Sequence, residues 1–83
     1  VKVHIRYFAS IRESLGQGAE TVETAAATLA VLREELIARG GAYAESLARG
    51  RAVRVALNQA MSEESAALAD GAEVAFFPPV TGG

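Results

Sequence analysis

The sequence contains no cysteine and no tryptophan, one lysine (Lys2), one histidine (His4), and only two prolines, Pro78 and Pro79, which are adjacent. Without cysteine there is no disulfide framework, no thiolate metal site and no side-chain thiol to carry sulfur or attack a substrate. No Gly-x-x-x-x-Gly-Lys phosphate loop occurs, so the chain is not expected to bind a nucleotide itself. No metal set is expected either. Basic charge is scarce as well. The formal net charge is −2, and nucleic acids and anionic membranes both select a basic footprint, so neither is expected as a partner. No apolar run approaches a membrane span and no signal peptide is visible, which gives a cytoplasmic expectation. A self-sufficient enzyme has little to work with here.

What remains is the material of one small domain. The 83 residues are 51% apolar and 22% charged, an ordinary globular balance. A domain of this size buries about 60–65% of its unfolded surface. Val1 to Phe8 alternates, with Val1, Val3, Ile5 and Tyr7 on one face and Lys2, His4, Arg6 and Phe8 on the other, which predicts a half-buried strand. Ser10 and Glu13 have the spacing of a capping box for a short helix that Gly16 stops. Glu20 to Thr24 predicts a second strand. Thr28 caps a main helix over about 28–39, with Leu29, Leu32 and Leu36 as its apolar stripe and Arg33-Glu34-Glu35 as a solvated face. Gly40-Gly41 ends it, and residues 42–48 form a short helix. Val53, Val55 and Leu57 point one way along a third strand, and Asn58-Gln59 opens a turn. Met61 to Ala67 reads as irregular. Asp70-Gly71 turns the chain into a last strand, Ala72 to Phe77. The expected class is α+β, a mixed sheet with one main helix on one face and short additional helices. The expected division is a domain over 1–77 and an extended tail over 78–83.

Few side chains suggest chemistry. His4 reads as an exposed strand histidine without a catalytic partner, and Glu63-Glu64 as exposed carboxylates. Phe8 and Phe77 stand out, because burying Tyr7 and Phe76 turns both onto the opposite face. If the two strands pair and nothing covers them, two aromatic rings make a protein-binding surface beside the tail, with Met61 a further candidate.

The tail is the most informative stretch: Pro78, Pro79, Val80, Thr81, Gly82, Gly83. Prolines pre-extend its base, which lowers the cost of ordering it. Two glycines are poor structural material, but their bare backbone enters a narrow channel readily. The working group is expected to be the α-carboxylate of Gly83. With a pKa of about 3.5 it is ionised at neutral pH and a poor electrophile. Activation as an acyl adenylate by an ATP-binding partner, then attack by a sulfur donor, would leave a thiocarboxylate. The chain end would thus carry sulfur without cysteine.

The stretch Leu68-Ala69-Asp70-Gly71-Ala72-Glu73-Val74-Ala75-Phe76-Phe77-Pro78-Pro79-Val80-Thr81-Gly82-Gly83 resembles the C-terminal signature of the small subunits of molybdopterin synthase. Tyr7-Phe8-Ala9-Ser10-Ile11-Arg12-Glu13 with Leu15-Gly16, and Val55-Ala56-Leu57-Asn58, resemble that family as well. The resemblance implies a ubiquitin-like β-grasp fold and a sulfur carrier that is not an enzyme alone. It implies that Gly83 is adenylated by an E1-like enzyme using ATP and magnesium and becomes a thiocarboxylate. The tail then inserts into the large subunit of a heterotetrameric synthase and gives sulfur to cyclic pyranopterin monophosphate. It places partner contacts at Phe8, Met61 and Phe77, and implies no cofactor bound by this chain. That family commonly carries an acidic residue where Ala72 stands, a surface difference by this reading. The alternatives are a thiamin-type sulfur carrier, a ubiquitin-like modifier attached to lysines, and an interaction module with an idle tail.

Overall fold

Alternation decides which way the first strand, β1 (Lys2–Tyr7), faces: Val3, Ile5 and Tyr7 are buried and Lys2, His4 and Arg6 are exposed. The computed structural model describes residues 1–79. After β1 come α1 (Ala9–Leu15), β2 (Ala19–Glu23), α2 (Leu29–Ile37), α3 (Gly41–Leu47), β3 (Arg54–Leu57), β4 (Ala60–Ser62) and β5 (Glu73–Phe77). The five strands form one sheet in the order β2-β1-β5-β3-β4. The central pair, β1 and β5, is parallel, and the other three pairings are antiparallel. Val3, Ile5, Tyr7, Val74 and Phe76 on the inner face pack with Leu29, Leu32 and Leu36 of α2 in a single core. This is the β-grasp arrangement the sequence led us to expect: a helix over one face of a mixed sheet. No helix among the described residues is long and apolar enough to cross a membrane.

Several local expectations hold. The Thr28 side chain accepts the Val31 N–H at 3.3 Å and caps α2. Gly16, at φ 74°, closes α1 with its N–H on the Arg12 carbonyl at 3.0 Å, a left-handed position that suits glycine. Asn58 and Gln59, at φ 51° and 69°, form the two-residue connection between β3 and β4, where successive left-handed residues match the sheet twist.

Others need correction. The capping box does not form: Phe8 is the N-cap of α1, and no side-chain hydrogen bond caps that helix. Extended Phe8 and left-handed Ala9 (φ 52°) start the helix two residues early, so Ser10 lies inside its first turn. The supposedly irregular 61–67 stretch begins in a strand, since Met61 and Ser62 belong to β4. Val1 was expected on the buried face and is exposed. Ala72 is 4% exposed, so it is a core residue and not a surface difference.

The largest correction is Arg33. It is buried inside the α2 stripe rather than solvated. Its guanidinium donates to the carbonyls of Leu47, Ala48 and Arg51 at 2.7, 2.7 and 3.3 Å, and to the Glu64 carboxylate at 2.7 Å. Those carbonyls sit at and beyond the end of α3, where backbone acceptors have no helical partner. Glu64 also accepts from Arg49, so it is a shared ion-pair centre and not a free carboxylate. Burial works against its ionisation, but the two guanidinium hydrogen bonds outweigh that and hold its pKa below the usual value.

Candidate functional site

The strand register assembles one open surface opposite the core. Arg6 pairs with Ala75, Ala75 with Ala56, and Ala56 with Met61. These four positions form a row across β1, β5, β3 and β4 whose two central members are methyl groups. Phe8 and Phe77 follow one step further along β1 and β5. Their rings meet edge to face, with centroids 6.5 Å apart and planes at 85°. The result is a shallow depression of about 410 Å³, with Ala56 and Ala75 as its floor and Phe8, Phe77 and Met61 among its walls. Phe8 is 43% and Met61 59% exposed, while Phe77 is half-buried. Arg6 and Glu73 border it, with charged atoms 4.0 Å apart. The three residues expected at a contact surface therefore stand around one apolar hollow. Such grouping is what docking surfaces show and scattered apolar residues do not.

The tail leaves from the same end of the sheet. β5 runs parallel to β1, so the chain reaches Pro78 beside Phe8 and the start of α1. Pro78 and Pro79 are half-buried. Pro78 lines a second depression, about 260 Å³, with Ser10 and Ser14 of α1, Ser46 of α3, and Arg51. The tail base is therefore seated in the domain at its first two residues. Val80, Thr81, Gly82 and Gly83 lie outside the described residues.

His4 is exposed on the open face, and its Nδ1 lies 3.0 Å from the Thr21 hydroxyl. No carboxylate hydrogen-bonds its ring among the described residues, so the contact with the Thr21 hydroxyl lacks the third group that would orient the imidazole as a base. Nor do those residues include a group of three His, Cys, Asp or Glu placed to hold a metal.

A second polar centre was not foreseen. One Glu20 oxygen accepts from the Tyr43 hydroxyl at 2.7 Å, the Tyr7 hydroxyl at 2.8 Å and the Gln17 amide at 3.1 Å. The other accepts from Arg39 at 2.9 Å. Burial opposes ionisation of Glu20, but the hydrogen bonds from Arg39, Tyr43 and Tyr7 outweigh it and its pKa is lowered. Both phenols move the other way: burial first, then the Glu20 carboxylate, raises the pKa of Tyr7 and Tyr43. A carboxylate so fully supplied with donors ties β1, β2, α3 and the end of α2 together and leaves no capacity for a substrate. The signal was Tyr7 itself: a tyrosine on a buried strand face needs a partner for its hydroxyl. For Arg33 the signal was spacing, since 29, 32, 33 and 36 follow the i, i+3, i+4, i+7 pattern of a buried stripe.

The description of the ThiS family matches residues 5–83. A molybdopterin synthase sulfur carrier subunit of Haemophilus influenzae is 40% identical over 81 residues, which cover 98% of this chain and 99% of that protein. Among solved structures, the chain resembles one in the complex of subunits 1 and 2 of molybdopterin-converting factor from Helicobacter pylori. That match has a TM-score of 0.69 and 26% identity and covers 100% of both chains. It also resembles SAMP1 from Haloferax volcanii, with a TM-score of 0.79, 25% identity and 100% of both chains covered.

Proposed function

The chain belongs to the ThiS family, and from that premise we propose that it is the sulfur carrier subunit of a molybdopterin synthase, with the Gly83 carboxylate as its working group. It is the non-catalytic partner of a large subunit that holds the pterin. The single observation that carries this reading is the placement of the tail base. The strand that ends in Phe77 delivers Pro78 beside the apolar hollow walled by Phe8, Met61 and Phe77.

That juxtaposition is what the chemistry requires. Ordering each backbone residue costs about 1–2 kcal/mol, so fixing residues 80–83 in a channel costs about 4–8 kcal/mol. A tail cannot offset that with two glycines. The hollow supplies the apolar contact that does, and the seated prolines make the base part of the domain rather than part of the cost. Phe8, Met61 and Phe77 therefore bind the large subunit, and Pro78 to Gly82 lead Gly83 into its active site.

Gly83 reacts in two steps before transfer. A carboxylate oxygen attacks the α-phosphorus of ATP, held with magnesium by an E1-like adenylating enzyme, and pyrophosphate leaves. Sulfur at the sulfide level then attacks the acyl carbon, a C–S bond forms as the C–O bond to the phosphate breaks, AMP leaves, and the S–H proton passes to solvent to give a thiocarboxylate. From a persulfide donor the product is an acyl disulfide, which a thiol reductant must cleave to the same thiocarboxylate. In the large subunit that sulfur passes to cyclic pyranopterin monophosphate.

The test is intact mass after incubation with ATP, magnesium, the adenylating enzyme and a sulfur donor. An ATP-dependent gain equal to exchanging one oxygen for sulfur, located at Gly83, is expected. Adding the large subunit and the pterin precursor should then consume the thiocarboxylate, which a thiamin-type carrier would not allow. Unchanged mass, with the enzyme active on a control carrier, would overturn the reading. Isopeptide conjugates of the chain on other proteins would favour a modifier instead.

A further inference from the structure

An acyl adenylate reacts with any good nucleophile it meets, including those of its own chain. In this sequence those are very few and lie far away. There is no cysteine, one lysine and one histidine. His4 is level with Glu73 in the sheet, six residues before Pro79, about 20 Å along a strand at 3.3 Å per residue. Lys2 lies two residues beyond, at about 26 Å. The four residues after Pro79 extend at most about 13–14 Å. Neither side chain is within reach, even allowing for the four-carbon lysine stem.

The cations that do stand near the tail base are guanidinium groups. Arg54 is the register partner of Phe77, two residues before Pro79, or about 7 Å. Arg51 lines the same depression as Pro78, and Arg6 is level with Ala75. Elsewhere the arginine fork is used: Arg33, Arg39 and Arg49 each hold carboxylates or carbonyls in defined geometry. Arg54 makes no side-chain hydrogen bond or ion pair among the described residues, so hydrogen-bond geometry does not explain why it is arginine and not lysine. The two cations differ in nucleophilicity: a guanidinium stays protonated under conditions where a lysine amine already has a small reactive neutral fraction.

The remaining nucleophiles are restrained. The Tyr7 and Tyr43 hydroxyls are both committed as donors to Glu20. Ser10, Ser14 and Ser46 line the tail-base depression, but no histidine or carboxylate lines it with them to act as a base.

We infer that the fold keeps its own strong nucleophiles beyond the reach of the activated Gly83, with arginine rather than lysine at Arg54 and its neighbours, so that acyl transfer goes to the sulfur donor. This rests on the carrier reading above. The reaction avoided is simple. An amine lone pair attacks the acyl carbon, a C–N bond forms, the C–O bond to the phosphate breaks, AMP leaves and the ammonium proton passes to solvent. The chain closes on itself with a net loss of one water.

The experiment uses the full chain with ATP, magnesium and the adenylating enzyme, without sulfur donor, at pH 8–9. Hydroxylamine in a parallel sample traps the adenylate as a hydroxamate. The wild type should give hydroxamate and no dehydrated chain. R54K should give an ATP-dependent, dehydrated, monomeric product, at least tenfold above wild type, with the amide mapped between position 54 and Gly83. T21K, at the far end of the sheet opposite His4, should behave as wild type. Circular dichroism confirms that both variants are folded. The inference is overturned if R54K forms hydroxamate but no internal amide, if T21K cyclises as readily, or if the wild type closes on Lys2. Absence of hydroxamate from wild type, with a control carrier active, would instead remove the carrier reading and the inference with it.

Discussion

Truncating Arg33 should cost more stability than truncating any other charged side chain of this domain. The side chain is 4% exposed and makes four hydrogen bonds at 2.7–3.3 Å. In R33A, Glu64 keeps Arg49 as a partner and the Ala48 carbonyl keeps the Arg51 N–H at 2.8 Å, but the carbonyls of Leu47 and Arg51 lose the guanidinium donor. Leu47 is fully buried, so water cannot readily replace it there. An unsatisfied buried acceptor costs about 1–3 kcal/mol, and breaking a buried ion pair about 3–5 kcal/mol. The expected loss is therefore about 3–5 kcal/mol, out of a total stability of about 5–15 kcal/mol for a domain. With urea m-values of about 1–3 kcal/mol/M, a 3 kcal/mol loss moves the midpoint down by about 1–3 M, and the melting temperature by about 12–24 °C. R33K should fall between, because an ammonium supplies charge but cannot span three carbonyls and a carboxylate in one plane. E64Q should cost least, since Glu64 is 27% exposed. Urea unfolding followed by circular dichroism gives all three. A loss below about 1 kcal/mol in R33A, or R33K equal to wild type, would refute the reasoning.

Acid should expose the Glu20 centre. Its folded pKa lies below the usual glutamate value of about 4.5, so the unfolded chain binds more protons there and stability rises with pH. That contribution is complete above about pH 4.5 and is lost as pH falls through the folded value; E20Q should flatten the acid limb of a urea-midpoint profile. At the alkaline end the sign reverses for the tyrosines. Their raised folded values mean the unfolded phenols ionise first, so stability should fall above about pH 10, and less steeply in Y43F. The apolar hollow is tested by binding. F8A should change stability little, because Phe8 is 43% exposed. If Phe8 is a hot spot its loss costs about 2 kcal/mol, or about 30-fold in Kd for the large subunit, read by calorimetry; unchanged affinity would remove Phe8 from the interface.

The legible parts of this protein were those written at short range. Period-two alternation oriented β1 and β5, and so separated Tyr7 and Phe76 from Phe8 and Phe77 before any pairing was known. The apolar stripe and Thr28 placed α2. Prolines and glycines carry backbone meaning without a fold around them, which is why the tail gave an expectation at all; its residues from Val80 to Gly83 lie outside the described residues. What escaped depended on distant parts of the chain. β4 is three residues long, too short for alternation to register, and is held by the Asn58-Gln59 turn and its pairing with β3. The floor of the hollow exists only because Ala56 meets Ala75 across two strands 15 or more residues apart. Arg33 looked like a surface residue because charge is normally solvated, and only the distant Glu64 carboxylate and the carbonyls at and beyond the end of α3 make its burial favourable.

These long-range features share a consequence for function. The parallel pairing of β1 with β5 puts Phe8 beside Phe77 and sends the chain toward Pro78 at one end of the sheet. The same pairing places His4 and Lys2 at the other. One topological choice thus sets the apolar surface next to the tail and the reactive side chains away from it. An antiparallel β5 would bring the tail and Phe77 out beside Lys2 and leave Phe8 at the far end, splitting the aromatic pair. A carrier whose terminus is to be activated and then threaded needs the first arrangement, and neither the composition nor the tail alone could provide it.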